Sequence, residues 1–288
     1  MKIMVTGATG GYGSYAIPFI KEFAPNAEIY GIARNETKAA ELKKQGIIPR
    51  IADYSDVNSL IKALEGMERL LFISVSVHEL QINVVNAAKI AGVQFIAYTS
   101  IAGIENNKFG LEINHKATEK LIRESGIKHI FLRNNWYLDM MQGMITAAAK
   151  SGKMPYFAGD GKVAWALKQD YAEVGARVIT GEGDGYPEVL ELAGTPITYA
   201  ELGEAVAEST GHPVEVYPTT QEEFTDWMMT NGASQMGVML GSSYQEYALA
   251  GNNGEESLSP TDIEKVMRHP LRSLVDSVKA LLNEPVIY

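Results

Sequence analysis

The sequence contains no cysteine, which excludes disulfides, thiolate metal sites and a cysteine nucleophile or redox pair. That absence fits a cytoplasmic setting. No block of lysine or arginine stands out either, and 25 basic against 35 acidic residues leave a net charge of −10. Binding to nucleic acid through phosphate neutralisation is not expected, nor is docking on an anionic membrane. The acidity reads most simply as a solubility feature. No apolar run approaches the roughly 20 residues needed to span a bilayer, and the opening MKIMVTGATGG is too short for a signal-peptide core. The 5 histidines are scattered, with no H-x-x-x-H or H-E-x-x-H spacing, and no G-x-S-x-G elbow occurs. Neither a metal site nor a hydrolase nucleophile is therefore expected. Internal repeats and low-complexity tracts are also missing.

What is present is a regular alternation. Short β-rich runs occur at Lys2–Val5, Glu28–Ala33, Ile47–Ala52, Leu70–Val75, Gln94–Thr99 and His129–Leu132. Between them lie amphipathic segments with helical spacing at Tyr12–Phe23, Glu36–Lys44, Val57–Leu64, Glu79–Ala91 and Leu111–Glu124. Strands alternating with helices imply right-handed crossovers and a parallel sheet, and the nearly all-apolar strands imply cover on both faces. The expected fold is α/β: a Rossmann-type doubly wound parallel sheet with a smaller, mainly helical C-terminal domain.

After Trp136 the rhythm changes. Met140–Ala149 reads as a helix, Gly152–Gly161 as a turn-rich loop, and Asp170 as the cap of a further helix. Val189–Ala193 and Val214–Tyr217 read as strands. Thr198-x-x-Glu201 and Thr220-x-x-Glu223 read as helix starts, and Ser259–Pro260 as a helix opening with proline at its first position. The expected division is 1–135 for nucleotide binding and 136–288 for a substrate-cleft domain, with a stretch near 165–195 returning to the main sheet. Gly251–Glu256 is the expected flexible loop. The methionines of Trp227–Met229 and Met236–Leu240 are expected in helix core, with a pocket or subunit contact as the other reading.

The strongest local signal is Thr6-Gly7-Ala8-Thr9-Gly10-Gly11-Tyr12-Gly13, placed between a strand and a helix. Gly7 permits a tight turn, Gly10 lets the backbone approach a pyrophosphate, and Gly13 lets helix and strand pack closely. The helix start offers N–H groups to phosphates. Thr9, Gly11 and Tyr12 complete this turn as candidate cofactor contacts. At the end of the second strand, NAD-binding folds usually carry an acid for the ribose 2′-hydroxyl. Here the position holds Arg34, which suits a 2′-phosphate, so NADP(H) is favoured and NAD(H) stays compatible. A solvated helix start would also explain Arg34, and Glu36 lies close by. Asp53 after the third strand is placed to accept from the adenine amino group, or simply to cap a turn. Ser74, Val75 and Ser76 end the fourth strand, where small residues let the middle of the cofactor lie close.

These motifs resemble the NmrA-like branch of the atypical short-chain dehydrogenases/reductases, and within it the type 2 NAD(P)H:quinone oxidoreductases. The resemblance spans nearly the whole chain. It is carried by Thr6–Gly13, Gly31–Asn35, Ala87–Val93, Tyr98-Thr99-Ser100, His115–Glu119, Ser125-Gly126-Ile127, Leu132–Tyr137 and Leu258–Glu264. Short-chain dehydrogenases typically use a Tyr-x-x-x-Lys pair. If Lys116 is that lysine, the residue four before it is Glu112, so the usual tyrosine acid is missing. Quinone reduction tolerates this loss, because hydride transfer gives a stabilised hydroquinone anion. The resemblance implies that Lys116 binds the nicotinamide ribose or orients substrate, with a surface lysine as the alternative. Thr99, Ser100 and Asn134 join the candidate cofactor contacts. Asn134, Asn135, Trp136 and Tyr137 follow the sixth strand at the carboxyl edge. Asn135 and Tyr137 are candidate catalytic residues, an amide to orient a carbonyl and a flat ring to stack on a quinone. Trp136 and Tyr137 could equally anchor the second domain. His115 could donate a proton, though capping or surface exposure is the commoner use of such a residue.

The expected function is an NAD(P)H-dependent reductase passing hydride to a quinone or similar small electrophilic carbonyl. A non-catalytic dinucleotide-binding redox sensor, acting through a protein partner, is the alternative. A homodimer is compatible with the sequence and not required by it.

Overall fold

The structure is a computed structural model that describes residues 1–182 and 185–286. In chain order the strands and helices of the first half are β1 (Lys2–Val5), α1 (Gly11–Phe23), β2 (Glu28–Ala33), α2 (Glu36–Lys44), β3 (Ile48–Ile51), α3 (Val57–Leu64), β4 (Arg69–Phe72), α4 (His78–Ala91), β5 (Phe95–Ile101), α5 (Leu111–Ser125) and β6 (Lys128–Asn134). There follow α6 (Gln142–Ser151), β7 (Lys153–Tyr156), β8 (Lys162–Val163), α7 (Lys168–Arg177), β9 (Val189–Leu192), β10 (Ile197–Thr198) and α8 (Tyr199–Thr210). Last come β11 (Glu215–Pro218), α9 (Gln221–Thr230), α10 (Gln235–Ala250), α11 (Thr261–Met267) and α12 (Leu274–Leu282).

The chain forms two compact units. The first comprises Met1–Asn134, Lys168–Leu192 and Thr261–Arg268, and the second comprises Asn135–Leu167, Ala193–Pro260 and His269–Tyr288. Of the stretch 165–195, residues 183 and 184 lie outside the described residues.

In the first unit a 7-stranded sheet runs β3-β2-β1-β4-β5-β6-β9, with every neighbouring pair parallel. Strand order reverses between β1 and β4, the switch point at which doubly wound folds bind their ligands. Met4, Leu70, Phe72, Ile96, Tyr98 and Phe131 share one buried cluster with Leu60, Leu64, Val84 and Ala88 from α3 and α4. Full burial of such side chains contributes about 1.5–3 kcal/mol each. On α1, Tyr12 is buried and donates its hydroxyl proton to the Tyr171 carbonyl at 2.7 Å. Gly175 makes room for it, since a Cβ there would lie 2.5 Å from the Tyr12 hydroxyl.

The second unit holds a parallel β7–β11 pair and an antiparallel β8–β10 pair. Thr198 and Thr220 form full capping boxes with Glu201 and Glu223, as their spacing predicts. Several expectations are corrected here. Gly152–Gly161 is not only a loop, because β7 lies inside it and pairs with residues some sixty positions later that no local pattern reveals. Asp170 falls within the first turn of α7, which already begins at Lys168. Pro260 precedes α11 rather than opening it.

The expected flexible loop is anchored. Glu255 is 1% exposed and accepts from Asn135 Nδ2 at 2.7 Å, Ala164 N at 2.8 Å and the Tyr247 hydroxyl at 2.6 Å. The methionines divide. Met228 is fully buried, while Met229, Met236 and Met239 are exposed rather than core.

Candidate cofactor site

The glycine turn is shaped as its spacing demands. Gly7 has φ +57°, in the left-handed region that favours glycine, and its carbonyl accepts from Gly10 N at 2.8 Å. At Gly13 an added Cβ would stand 2.5 Å from the Gly7 oxygen and 2.8 Å from Ala8 Cα, so only glycine lets α1 pack on the turn. Gly10 is the N-cap of α1, and no side chain caps the helix there. The first-turn N–H groups are thus left for an anion, with the helix dipole favouring negative charge. Thr9, Gly10 and Gly11 are exposed on this surface. Tyr12 contributes its backbone alone, because its side chain is committed to α7.

Two residues that the sequence did not single out complete the turn. The Tyr54 hydroxyl accepts from Gly7 N at 3.2 Å, and burial raises the pKa of this tyrosine. Lys168, at the start of α7, is 5% exposed. Its Nζ lies 3.4 Å from the point where a Cβ on Gly11 would stand, which puts a buried cation beside the helix start. Nothing local marks either residue, since tertiary packing alone brings them to the turn. An unblocked helix start, a glycine cradle and a nearby ammonium fit a pyrophosphate.

At the β2 exit, Asn35 caps α2 by accepting from Lys38 N at 2.9 Å. Arg34 is exposed and makes no hydrogen bond or ion pair with any described residue. Asp53 is exposed. It accepts from the Ser55 N–H at 2.8 Å and hydroxyl at 2.7 Å, and these bonds hold its carboxyl below the usual range, with Arg34 adding to the effect. The turn-capping role is therefore realised, and Asp53 and Arg34 are electrostatic neighbours.

β4 stops at Phe72, so Ser74, Val75 and Ser76 follow the strand rather than end it. Side chains replace the ladder there. Thr99 Oγ1 accepts from Ser74 N at 2.8 Å and donates to Ser74 Oγ at 3.1 Å, while Gln81 Oε1 accepts from Val75 N at 3.3 Å. Thr99 and Ser100 lie within β5, and Ser100 donates to buried Glu119 at 2.7 Å. Glu119 also takes a two-pronged bond from Arg133, at 2.8 and 2.9 Å, and Arg133 pairs with Glu191 at 2.7 Å. These carboxylates raise the arginine pKa against the opposing cost of burial.

Asn134 is the last residue of β6, opposite Ile101 and Leu192, and is buried. Lys116 is exposed and its ammonium pairs with Glu105 at 2.8 Å. His115 is half-buried, and its Nδ1 lies 2.9 Å from the Tyr98 hydroxyl, so it is neither a cap nor a surface group. Burial pushes its pKa down to about 4. Asn135 and Tyr137 belong to the second unit. Asn135 Nδ2 donates to Ala164 O at 3.0 Å and to Glu255, and Tyr137 bridges Ala166.

The sheet order and the glycine turn define a Rossmann-type protein. More narrowly, the chain belongs to the NmrA-like family, whose model matches residues 1–277. Over 98% of its length it is 38% identical to quinone oxidoreductase 2 of Escherichia coli, covering 99% of that protein. A crystal structure of the Escherichia coli NADPH-dependent quinone oxidoreductase complexed with NADPH superposes with a TM-score of 0.83 at 37% identity, covering 98% of this chain and 100% of that one. The triphenylmethane reductase of a Citrobacter species, complexed with NADP(H), gives a TM-score of 0.86 at 32% identity, with 98% and 100% covered.

Proposed function

We propose that the protein is a two-electron reductase that transfers hydride from NADPH to a quinone or a similar small electrophilic carbonyl. The observation that carries this reading is the intact phosphate turn at the head of a chain similar, end to end, to a quinone oxidoreductase. The turn of Gly7, Thr9, Gly10, Gly11, Tyr12 and Gly13 holds the pyrophosphate: Gly7 and Gly10 shape it, and the N–H groups at the start of α1 donate, with the Lys168 ammonium beside them. Arg34, unclaimed by any described residue, pairs with the 2′-phosphate, which NADH lacks. Asp53 approaches the adenine. Ser74, Val75 and Ser76 line the middle of the cofactor, with Thr99, Ser100 and Asn134 on the adjoining strands and Lys116 on α5. The acceptor-side roles of Asn135 and Tyr137 rest on their place after β6.

A bound nicotinamide supplies the hydride. The chain's part is to hold donor and acceptor in register and keep the phosphates neutralised. On α5, Lys116 is paired with Glu105 and burial keeps His115 neutral.

The test is cofactor oxidation followed by absorbance, with and without a simple benzoquinone, for NADPH and NADH in parallel. Acceptor-dependent oxidation that favours NADPH is the expected result. Tight NADPH binding without turnover on any quinone or activated carbonyl would replace this reading with the redox-sensor one.

A further inference from the structure

A chain of side-chain hydrogen bonds in the first unit fixes the protonation of one histidine. It begins at a donor whose direction cannot change, the backbone N–H of Val75, which donates to Gln81 Oε1 at 3.3 Å. Gln81 is fully buried, and its Nε2 donates to Thr118 Oγ1 at 3.0 Å. Thr118 in turn donates to the Asn114 carbonyl at 2.9 Å. Gln81 Oε1 is thereby the acceptor end of the amide, and the Tyr98 hydroxyl donates to it at 2.9 Å. With its single proton committed there, the Tyr98 oxygen can only accept from His115 Nδ1, 2.9 Å away. The reverse arrangement would set two bare oxygens against each other in a buried site. His115 is therefore the Nδ1–H tautomer, and its Nε2 carries an open lone pair. No described residue bonds Nε2.

The ionisable groups around the ring are Glu119 on α5, Tyr98 on β5 and His78 on α4, the last reached through Thr118 at 3.4 Å. Burial outweighs the pull of Glu119 and keeps the imidazole neutral. Asn114 Nδ2 donates to the Ser76 carbonyl at 3.0 Å, which fastens this turn of α5 to the chain leaving β4, one side of the switch point.

We propose, resting on the nicotinamide reading above, that His115 Nε2 accepts a hydrogen bond from a hydroxyl of the nicotinamide ribose. Chemistry decides between the two molecules this site would face. Quinone oxygens only accept, so they would repel a bare ring nitrogen, whereas a ribose hydroxyl donates to it. His115 is thus a cofactor-binding residue and not a proton donor. The Tyr98–Gln81–Thr118 relay positions it.

Binding of NADPH to the wild-type protein is measured first, by fluorescence titration, because its absence would remove the nicotinamide reading itself. His115→Ala and His115→Gln are then titrated with NADPH and with 2′,5′-ADP, which keeps the 2′-phosphate and lacks the nicotinamide ribose. In His115→Ala the NADPH dissociation constant rises about three- to tenfold. His115→Gln, which retains an acceptor at the same reach, recovers most of the affinity, and 2′,5′-ADP binds all forms equally. Nitrogen NMR of the free protein at neutral pH shows Nδ1 protonated and Nε2 bare, with the Nε2 signal moving on addition of NADPH but not of 2′,5′-ADP. A protonated Nε2, equal losses for both ligands, or unchanged NADPH affinity in His115→Ala would each overturn the assignment.

Discussion

Replacing Gly13 with alanine is the sharpest probe of how the turn is built. The added methyl would meet the Gly7 oxygen at 2.5 Å, Ala8 Cα at 2.8 Å and the Ala8 carbonyl carbon at 3.1 Å, all of them backbone atoms that cannot rotate aside. Overpacking of this kind costs about 1–3 kcal/mol. At ~2–4 °C of melting temperature per kcal/mol, the midpoint falls by roughly 2–12 °C. The same displacement moves the start of α1 away from the Gly7–Gly10 turn, so the N–H groups no longer converge. A loss of about 1.4 kcal/mol there weakens NADPH tenfold. Gly66→Ala is the control. Its φ is +76° with nothing within 4 Å of an added Cβ, so it carries a left-handed backbone cost of about 1–2 kcal/mol and no collision. Melting curves and NADPH fluorescence titrations on both variants separate the two effects. Gly66→Ala lowers the midpoint and leaves affinity alone, whereas Gly13→Ala lowers both. If Gly13→Ala keeps the wild-type midpoint and binds NADPH within about twofold, the close-packing argument is wrong.

Arg34→Ala should raise the NADPH dissociation constant by about ten- to a hundredfold, the worth of one charge-assisted contact, and leave NADH unchanged. An equal effect on both cofactors would refute its role as phosphate reader. Glu255→Ala leaves the Ala164 N–H without its acceptor in a buried site and removes the short bonds from Asn135 and the Tyr247 hydroxyl. Urea titration should record a loss of about 3–5 kcal/mol, and a loss below about 1 kcal/mol would show the knot to be dispensable. Stability should also decline as pH falls through the window from 6.5 to about 4. There the unfolded chain protonates the residue-115 imidazole and the folded chain, with its depressed value, does not. The ceiling is roughly 3 kcal/mol. Depressed carboxylates such as Glu188 and Glu201 lose stability only below 4.5, so they do not mask the upper part of the window. His115→Gln should flatten that slope, and an unchanged urea–pH profile would contradict the buried neutral ring.

Much of the first unit was legible because its determinants are local. A strand buried on both faces is an apolar run, a crossover helix has its own period, and a turn with positive φ at Gly7 and no space for a Cβ at Gly13 must be written with glycine. The capping boxes at Thr198 and Thr220 were equally readable, since donor and acceptor lie three residues apart. The extent of β5 and β6 was underestimated because polar residues, Ser100 in β5 and Arg133 and Asn134 in β6, lie near their ends. Pairing across the sheet holds them in the strands despite that.

What only the tertiary structure decided was which distant groups meet. Lys168 reaches Gly11 and Tyr54 reaches Gly7 through packing that no window of sequence contains. Glu255 looked like part of a flexible loop, yet it is the acceptor of three bonds from three separate segments. The same holds for His115. Its residue type allows two tautomers and a charged form, and the choice among them is made by Val75, Gln81 and Tyr98, up to 40 residues away along the chain. Sequence determined the fold and the glycine turn, because periodicity and glycine geometry are short-range properties. Burial and hydrogen-bond direction determined the chemical state of the side chains, because both depend on neighbours that only folding supplies.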